Sequence, residues 1–344
     1  MTKGSNMNAE INAEVNDEMN AEVNDEMNAE MKCEVKSEVK AEVNEYGESL
    51  RINTVGRWLK SRFGQKMVKL ALDGGFTCPN RDGTKGSGGC LFCGTGGGGD
   101  FASTIEEQIH LLSDKWPGAG HLAYFQNHTN TYAPVEVLRE KYSAALNSPG
   151  IRGLVIATRP DCLPEDVLEL LDQINREHFM WLELGLQTGN ETTAGRINRC
   201  YDNSVFESAM TCLREHRIRT VVHLILGLPG ETREDMMESV RYVSESGAWG
   251  IKLHLLNVVR GSRMADEYPG YTPFQSMEEY IDLICDIVEM LPPEMVVHRL
   301  TGDTPRRDLI APEWSYRKRS ILNGIYAELR RRGTYQGFRS PSRS

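Results

Sequence analysis

Six short apolar runs recur through the middle of the chain: Val68 to Leu72, His121 to Phe125, Leu154 to Thr158, Trp181 to Gln187, Thr220 to Leu226 and Ile251 to Leu256. Between them lie stretches of helical periodicity, such as Pro164 to Asn175, Ser204 to His216 and Thr232 to Ser246. Runs that are apolar almost throughout predict parallel strands buried on both faces, because a strand with one wet face would alternate. Six β-α units of this kind predict an α/β fold curved into a full or partial barrel. In such barrels chemistry gathers where the strands end. Polar residues collect there: Gln126, Asn127, Thr129, Asn130 and Tyr132 after the second run, Arg159 and Asp161 after the third, and Gln187 at the fourth. Gly227-Leu-Pro-Gly-Glu231 follows the fifth run, and Asn257, Arg260 and Ser262 follow the sixth.

A chain of 344 residues has room for one barrel of about 250 residues with appendages. Residues 1–46 carry a four-residue repeat, as in Ile11-Asn-Ala-Glu14 and Val15-Asn-Asp-Glu18. A period of four drifts around a 3.6-residue helix and keeps no fixed apolar face, so a disordered acidic tail is expected. Its twelve acids and four lysines account for most of the net charge of −10. The barrel is expected over 47–298. Residues 299–344 reverse the sign, with eleven Arg or Lys against four acids, interleaved with Trp314, Tyr316, Tyr326, Tyr335 and Phe338. Such a C-terminal extension reads either as a nucleic-acid surface or as the solvated face of a helix over 316–332. No apolar run approaches the ~20 residues of a membrane span, and the Glu- and Asn-rich start lacks the pattern of a signal peptide. A cytoplasmic protein without a membrane partner is expected. Cys33, Cys162, Cys200, Cys212 and Cys285 are scattered, as reduced thiols are.

The remaining cysteines, Cys78, Cys90 and Cys93, share one glycine-rich loop directly after the first run. Three thiolates in a loop so poor in side chains point to an iron-sulfur cluster with one iron open to a ligand. Structural zinc is the competing reading. It ordinarily takes four ligands, and here there is one CxxC, one cysteine upstream and no second pair.

Several phrases together resemble the radical S-adenosylmethionine (SAM) superfamily, and within it the YtqA/YhcC-type group related to the elongator catalytic subunit. They are Gly75-Phe-Thr-Cys78-Pro-Asn-Arg-Asp-Gly, Tyr124-Phe-Gln-Asn-His-Thr-Asn-Thr-Tyr132, Thr158-Arg-Pro-Asp-Cys162, Leu182-Glu-Leu-Gly-Leu-Gln-Thr188, His223-Leu-Ile-Leu-Gly-Leu-Pro-Gly-Glu231 and His298-Arg-Leu. The resemblance implies a partial (β/α)6 TIM-like barrel with a C-terminal helical extension. It implies a [4Fe-4S] cluster on Cys78, Cys90 and Cys93, and reductive cleavage of SAM to a 5′-deoxyadenosyl radical that abstracts hydrogen from a substrate. It also places Phe92 on the adenine, Gln187 on the ribose and Arg199 on the cofactor carboxylate, and leaves the cofactor's amino group to the region from Gln126 to Asn130 or to backbone carbonyls. Gly227 would let backbone approach the adenine, and His223 stands where some relatives have Asp. Eleven residues lie between the first two cluster ligands, more than the usual three, and no Gly-Gly-Glu follows the second strand. The implied substrate is tRNA, at a wobble uridine, with flavodoxin or ferredoxin as electron donor. The alternatives are a small metabolite such as a tetrapyrrole, or a non-catalytic zinc protein.

Overall fold

The computed structural model describes residues 51–94 and 104–340, so the acidic repeat lies outside the described residues. All six expected strands form: β1 (Met67–Leu72), β2 (Gly120–Phe125), β3 (Ile151–Thr158), β4 (Met180–Gln187), β5 (Thr220–Leu226) and β6 (Gly250–Leu255). A short pair, β7 (Val258–Val259) and β9 (Leu309–Ala311), makes an antiparallel ribbon. Between them in the chain, β8 (Val296–Leu300) joins the main sheet as a seventh strand that the apolar pattern did not predict. The main sheet runs β1-β2-β3-β4-β5-β6-β8, every pair parallel.

Leu182, Leu184 and Leu186 of β4 point outward into the core shared with the helices, while Trp181 and Glu183 point to the concave side. The concave side is narrow. In a flat sheet β1 and β6 would stand roughly 24 Å apart, yet Lys69 on β1 and Lys252 on β6 both reach Glu183 on β4, at 3.1 and 2.7 Å. The sheet is therefore curled into a partial barrel, with β1 and β8 as its two unjoined edges.

The outer layer comprises α1 (Val55–Phe63), α2 (Ile105–Ser113), α3 (Val135–Leu146), α4 (Glu165–Glu177), α5 (Glu191–Arg196), α6 (Asn203–Glu215), α7 (Arg233–Glu245), α8 (Arg263–Glu267), α9 (Met277–Met290) and α10 (Lys318–Arg332). Local sequence sets their starts. In α7 the Thr232 hydroxyl accepts from the Asp235 N–H and the Asp235 carboxylate accepts from the Thr232 N–H, a reciprocal cap. Helix α1 closes the N-terminal end of the barrel. Its Trp58 meets Trp249 edge to face at 4.9 Å, beside Phe179 and Trp181. The C-terminal end of the strands is left to the loops that follow them.

Residue 298 falls inside β8, and the segment beyond it is built into the barrel. Ile321, Ile325 and Leu329 of α10 are fully buried in the main core. Several arginines there are structural: Arg332 reaches Asp282, Asp286, Glu289 and Glu328, Arg331 pairs with Glu328, and Arg339 lies 2.8 Å from Glu289. Arg332 and Arg339 thus tie α10 and the segment after it to the acidic face of α9, while the Arg331–Glu328 pair lies within α10 itself.

Candidate active site

The loop after β1 is held on two sides. Leu91, buried at 1 % exposure, donates its N–H to Ile197 O at 3.0 Å and accepts from Met264 N at 2.9 Å. Asn198 donates to Gly89 O and Ser87 O, and Asn80 donates to Asn198 O at 2.6 Å. The loop can lie this close only because it lacks side chains: a Cβ on Gly86 would stand 2.2 Å from Asn80 Oδ1 and 2.7 Å from Cys200 Sγ.

Cys78, Cys90 and Cys93 are all free and half-buried. Asn80 Nδ2 donates to Cys90 Sγ at 3.4 Å. The Cys93 thiol is pulled down by a hydrogen bond from Cys90, with the nearby Arg81 charge acting in the same direction, while Cys90 is pushed up by that bond and by burial. Thiolate character is what a metal ligand requires. Arg159 brings further positive charge: its guanidinium bonds Asp161 at 2.9 and 3.0 Å and Arg199 O at 3.0 Å, and it faces Cys90 and Cys78 electrostatically.

These residues fit a cluster better than a single ion. Structural zinc ordinarily takes four Cys or His ligands, and this loop supplies three thiols, all half-buried. A cubane spreads its ligands over separate irons. The neighbouring Cys200 is turned toward amides, its thiol within 3.2 Å of Asn80 Oδ1 and of Asn198 Oδ1.

The other expected contacts are distributed unevenly. Phe92 lies half-buried against the apolar cluster formed by Leu91, Ile197, Ile225, Leu228, Leu256, Val258 and Met264. Gln126 follows β2, its N–H donating to Leu72 O at 3.4 Å. Gln187 adopts a left-handed φ of 72° at a bulge in β4, which folds its amide back over Gly185: a Cβ on that glycine would lie 2.6 Å from Gln187 Nε2. Gln187 therefore occupies the mouth on the lumen side.

Arg199 is buried at 1 % exposure with a full set of protein acceptors: the carbonyls of Leu186, Thr188 and Tyr201, Glu191 at 3.0 Å and Asn203 at 2.9 Å. A ligand carboxylate there would have to replace Glu191, whose side chain is 50 % exposed. Around Gly227 the space is filled as well. Its φ is 87°, a Cβ would lie 2.7 Å from Pro273 and 2.8 Å from Phe274, its N–H donates to Met236 Sδ and its carbonyl accepts from Tyr271 OH.

His223 belongs to a network that motif reading did not reveal. Glu183, with no solvent exposure, accepts at Oε2 from Tyr124 OH (2.6 Å), Lys252 Nζ (2.7 Å) and His223 Nε2 (2.9 Å), and at Oε1 from Lys69 Nζ (3.1 Å) and Trp181 Nε1 (3.2 Å). Burial would raise the Glu183 pKa, but Lys252, Lys69 and His223 hold the carboxyl far below its ordinary range. Burial brings His223 down to about 4, so the imidazole is neutral and Nε2–H donates; burial likewise brings Lys252 down to about 7.

Residues 78–243 match the Radical SAM superfamily and residues 248–331 match the Radical_SAM C-terminal domain. YtqA of Bacillus subtilis (strain 168) is 46% identical over 83% of this chain and 92% of its own length. YhcC of Escherichia coli (strain K12) is 40% identical over 76% of this chain and 87% of its own. Among solved structures, Elp3 of Methanocaldococcus infernus, lacking its N-terminus, shares the fold at a TM-score of 0.59 and 16% identity, over 78% of this chain and 64% of that one. Likeness of this extent to YtqA and YhcC, with both domain matches in sequence order, leaves one placement: the chain belongs to the radical SAM superfamily.

Proposed function

We propose that this radical SAM enzyme modifies tRNA, at the wobble uridine. The superfamily's cofactors are a [4Fe-4S] cluster and SAM, and when bound they supply a carbon-centred radical able to take a hydrogen atom from a substrate. In this reading Cys78, Cys90 and Cys93 hold the cluster, and Arg159 offsets its negative charge. Phe92, Gln126 and Gln187 line the cofactor's place at the mouth, and the Glu183 network forms the floor beneath it. A flavodoxin- or ferredoxin-type donor in the cytoplasm would deliver the electron.

The observation that carries the substrate assignment is a cationic, aromatic ribbon beside the cluster loop. Arg260 follows β7, and Arg306, Arg307 and Arg317 flank β9; all four are exposed. Arg306 stacks on Tyr316 at 4.4 Å, and a Cβ on Gly94 would lie 3.7 Å from Val259 of the ribbon, which puts these charges next to the cysteine loop. Guanidiniums on phosphates with a ring available for a base are the ordinary means of holding RNA. Supporting kinship comes from a tRNA uridine(34) acetyltransferase of Dehalococcoides mccartyi, 29% identical over 44% of this chain and 34% of that protein.

The test is anaerobic reconstitution, EPR of the reduced protein with and without SAM, and mass spectrometry of nucleosides from tRNA taken from cells lacking the protein. Deleting everything beyond Arg299 is not a usable control, because it would strip Ile321, Ile325 and Leu329 from the core. Arg306→Glu with Arg307→Glu is. The expected result is a changed nucleoside at position 34, with the double variant binding tRNA at least tenfold more weakly and with a shallower salt dependence. Unchanged tRNA, together with affinity indifferent to these charges, would defeat the substrate assignment.

A further inference from the structure

Inside the barrel three cationic side chains gather around one fully buried carboxylate. One buried carboxylate, Glu183, faces two ammonium groups, Lys69 at 3.1 Å and Lys252 at 2.7 Å. A third cation, Arg299 on the edge strand β8, lies near enough to act on Glu183 and Tyr124. Its guanidinium pairs at 2.9 Å with Asp303, whose side chain is 48% exposed and which also contacts Lys318. A buried cation without a counter-ion nearby is costly, so clustered cations ordinarily face anions.

The layer toward the mouth contains an imidazole nitrogen with no hydrogen-bond partner among the described residues. His254 stands two residues beyond Lys252 on β6, its ring 5.0 Å from that of His223, and its buried Nε2 has no hydrogen-bond partner. The layer is reachable: the side chains of Lys69 and His223 keep 26% and 14% exposure. Clustered cations, an imidazole nitrogen without a partner and an approach from solvent thus share one interior, in a position a substrate would occupy to meet a radical generated at the mouth.

We infer that this interior seats an anionic group of the substrate, a carboxylate or a phosphate, between Lys69 and Lys252, with His254 as a further hydrogen-bond donor. The inference deepens the reading above: it takes from it the location of the substrate, and the anion seat itself does not depend on the substrate being RNA. The anion holds Lys252 in its charged form, against the burial that brings its ammonium group down to about 7. It also fixes the rest of the substrate toward the cluster side, since the far end of the lumen is closed by Trp58 and Trp249.

The test titrates the reconstituted full-length protein with acetate and with inorganic phosphate at matched ionic strength, by calorimetry, in wild type, Lys69→Met, Lys252→Met and Lys69→Arg. Saturable binding of one anion is expected, weakened about tenfold or more in either methionine variant and kept within about threefold in Lys69→Arg. Acetate preference assigns a carboxylate, phosphate preference a phosphoryl group. The SAM-dependent change in the EPR signal reports on folding, and if a methionine variant loses it, Lys69→Arg and the other methionine variant carry the comparison. No saturable binding, or equal affinity in the folded methionine variants, overturns the inference. Should the anion bind while tRNA is untouched, the tRNA reading falls and the seat stands. Should tRNA be turned over with no anion binding and an unchanged KM in Lys69→Met, the seat falls alone.

Discussion

Glu183 and Lys252 come from strands β4 and β6, 69 residues apart in sequence, and meet inside the barrel with Oε2 and Nζ separated by 2.7 Å. Water cannot substitute for either partner, so each depends on the other for its charge. Glu183→Gln would leave Lys69 and Lys252 without their shared counter-ion and should cost about 3–5 kcal/mol. Pairing it with Lys252→Met should restore part of that loss, with a coupling of about 1–3 kcal/mol in a urea-denaturation cycle at pH 7. Strict additivity would mean that the two residues do not support each other.

Glu231, in the loop after β5, gives the fold a pH dependence. Burial raises its carboxyl to about 7, although the Thr188 hydroxyl, one of its donors, acts in the opposite direction. A folded pKa above the unfolded one means that the stabilising contribution is complete below about pH 4.5 and lost as pH climbs through 7. Glu231→Gln removes the ionisation. It should match wild type at pH 5 and melt roughly 4 °C higher at pH 8, corresponding to about 2 kcal/mol after allowance for partial solvent contact. Equal melting curves at pH 8 would refute the linkage.

Two glycines at the mouth should respond differently to alanine. At Gly227, with φ of 87°, a new Cβ meets Pro273 and Phe274, so Gly227→Ala should destabilise by about 2–4 kcal/mol. At Gly185 the new Cβ meets only the mobile end of Gln187. Gly185→Ala should therefore fold within about 1 kcal/mol of wild type and lose SAM affinity about tenfold, as the Gln187 amide is pushed aside. Calorimetric stability and SAM titration together check both halves.

Iron and sulfide analysis separates the cysteines. Alanine at Cys78, Cys90 or Cys93 should abolish cluster assembly, whereas Cys200→Ala should keep it, because that thiol is directed at Asn80 and Asn198. Loss of iron in Cys200→Ala would make it a fourth ligand and remove the open iron.

The six strands were legible because parallel strands buried on both faces must be apolar almost throughout. The seventh was not: β8 is five residues long and includes His298 and Arg299, whose polarity masks the run. Cys78, Cys90 and Cys93 were legible because they share one loop. Glu183, Lys252, Lys69 and Tyr124 were not, since each looks like a lone polar interruption until sheet curvature brings β1, β2, β4 and β6 together. The arginines near the C-terminus divide in a way that charge counting cannot see. Arg332 and Arg339 face carboxylates of α9, which the sequence places more than forty residues away, whereas Arg306 and Arg307 project from the ribbon.

Gln336 accepts from the Asn53 N–H at 2.9 Å and donates to Pro292 O and Met295 O, joining the start of the described barrel to its last segment across 283 residues. A chain emerging from the ribosome can pair β1 through β6 early, but it cannot close this clasp or cover α9 until synthesis has passed α10. Between the synthesis of α9 and that of α10 the apolar face of α9 is without its cover, an interval in which exposed apolar surface favours misassembly.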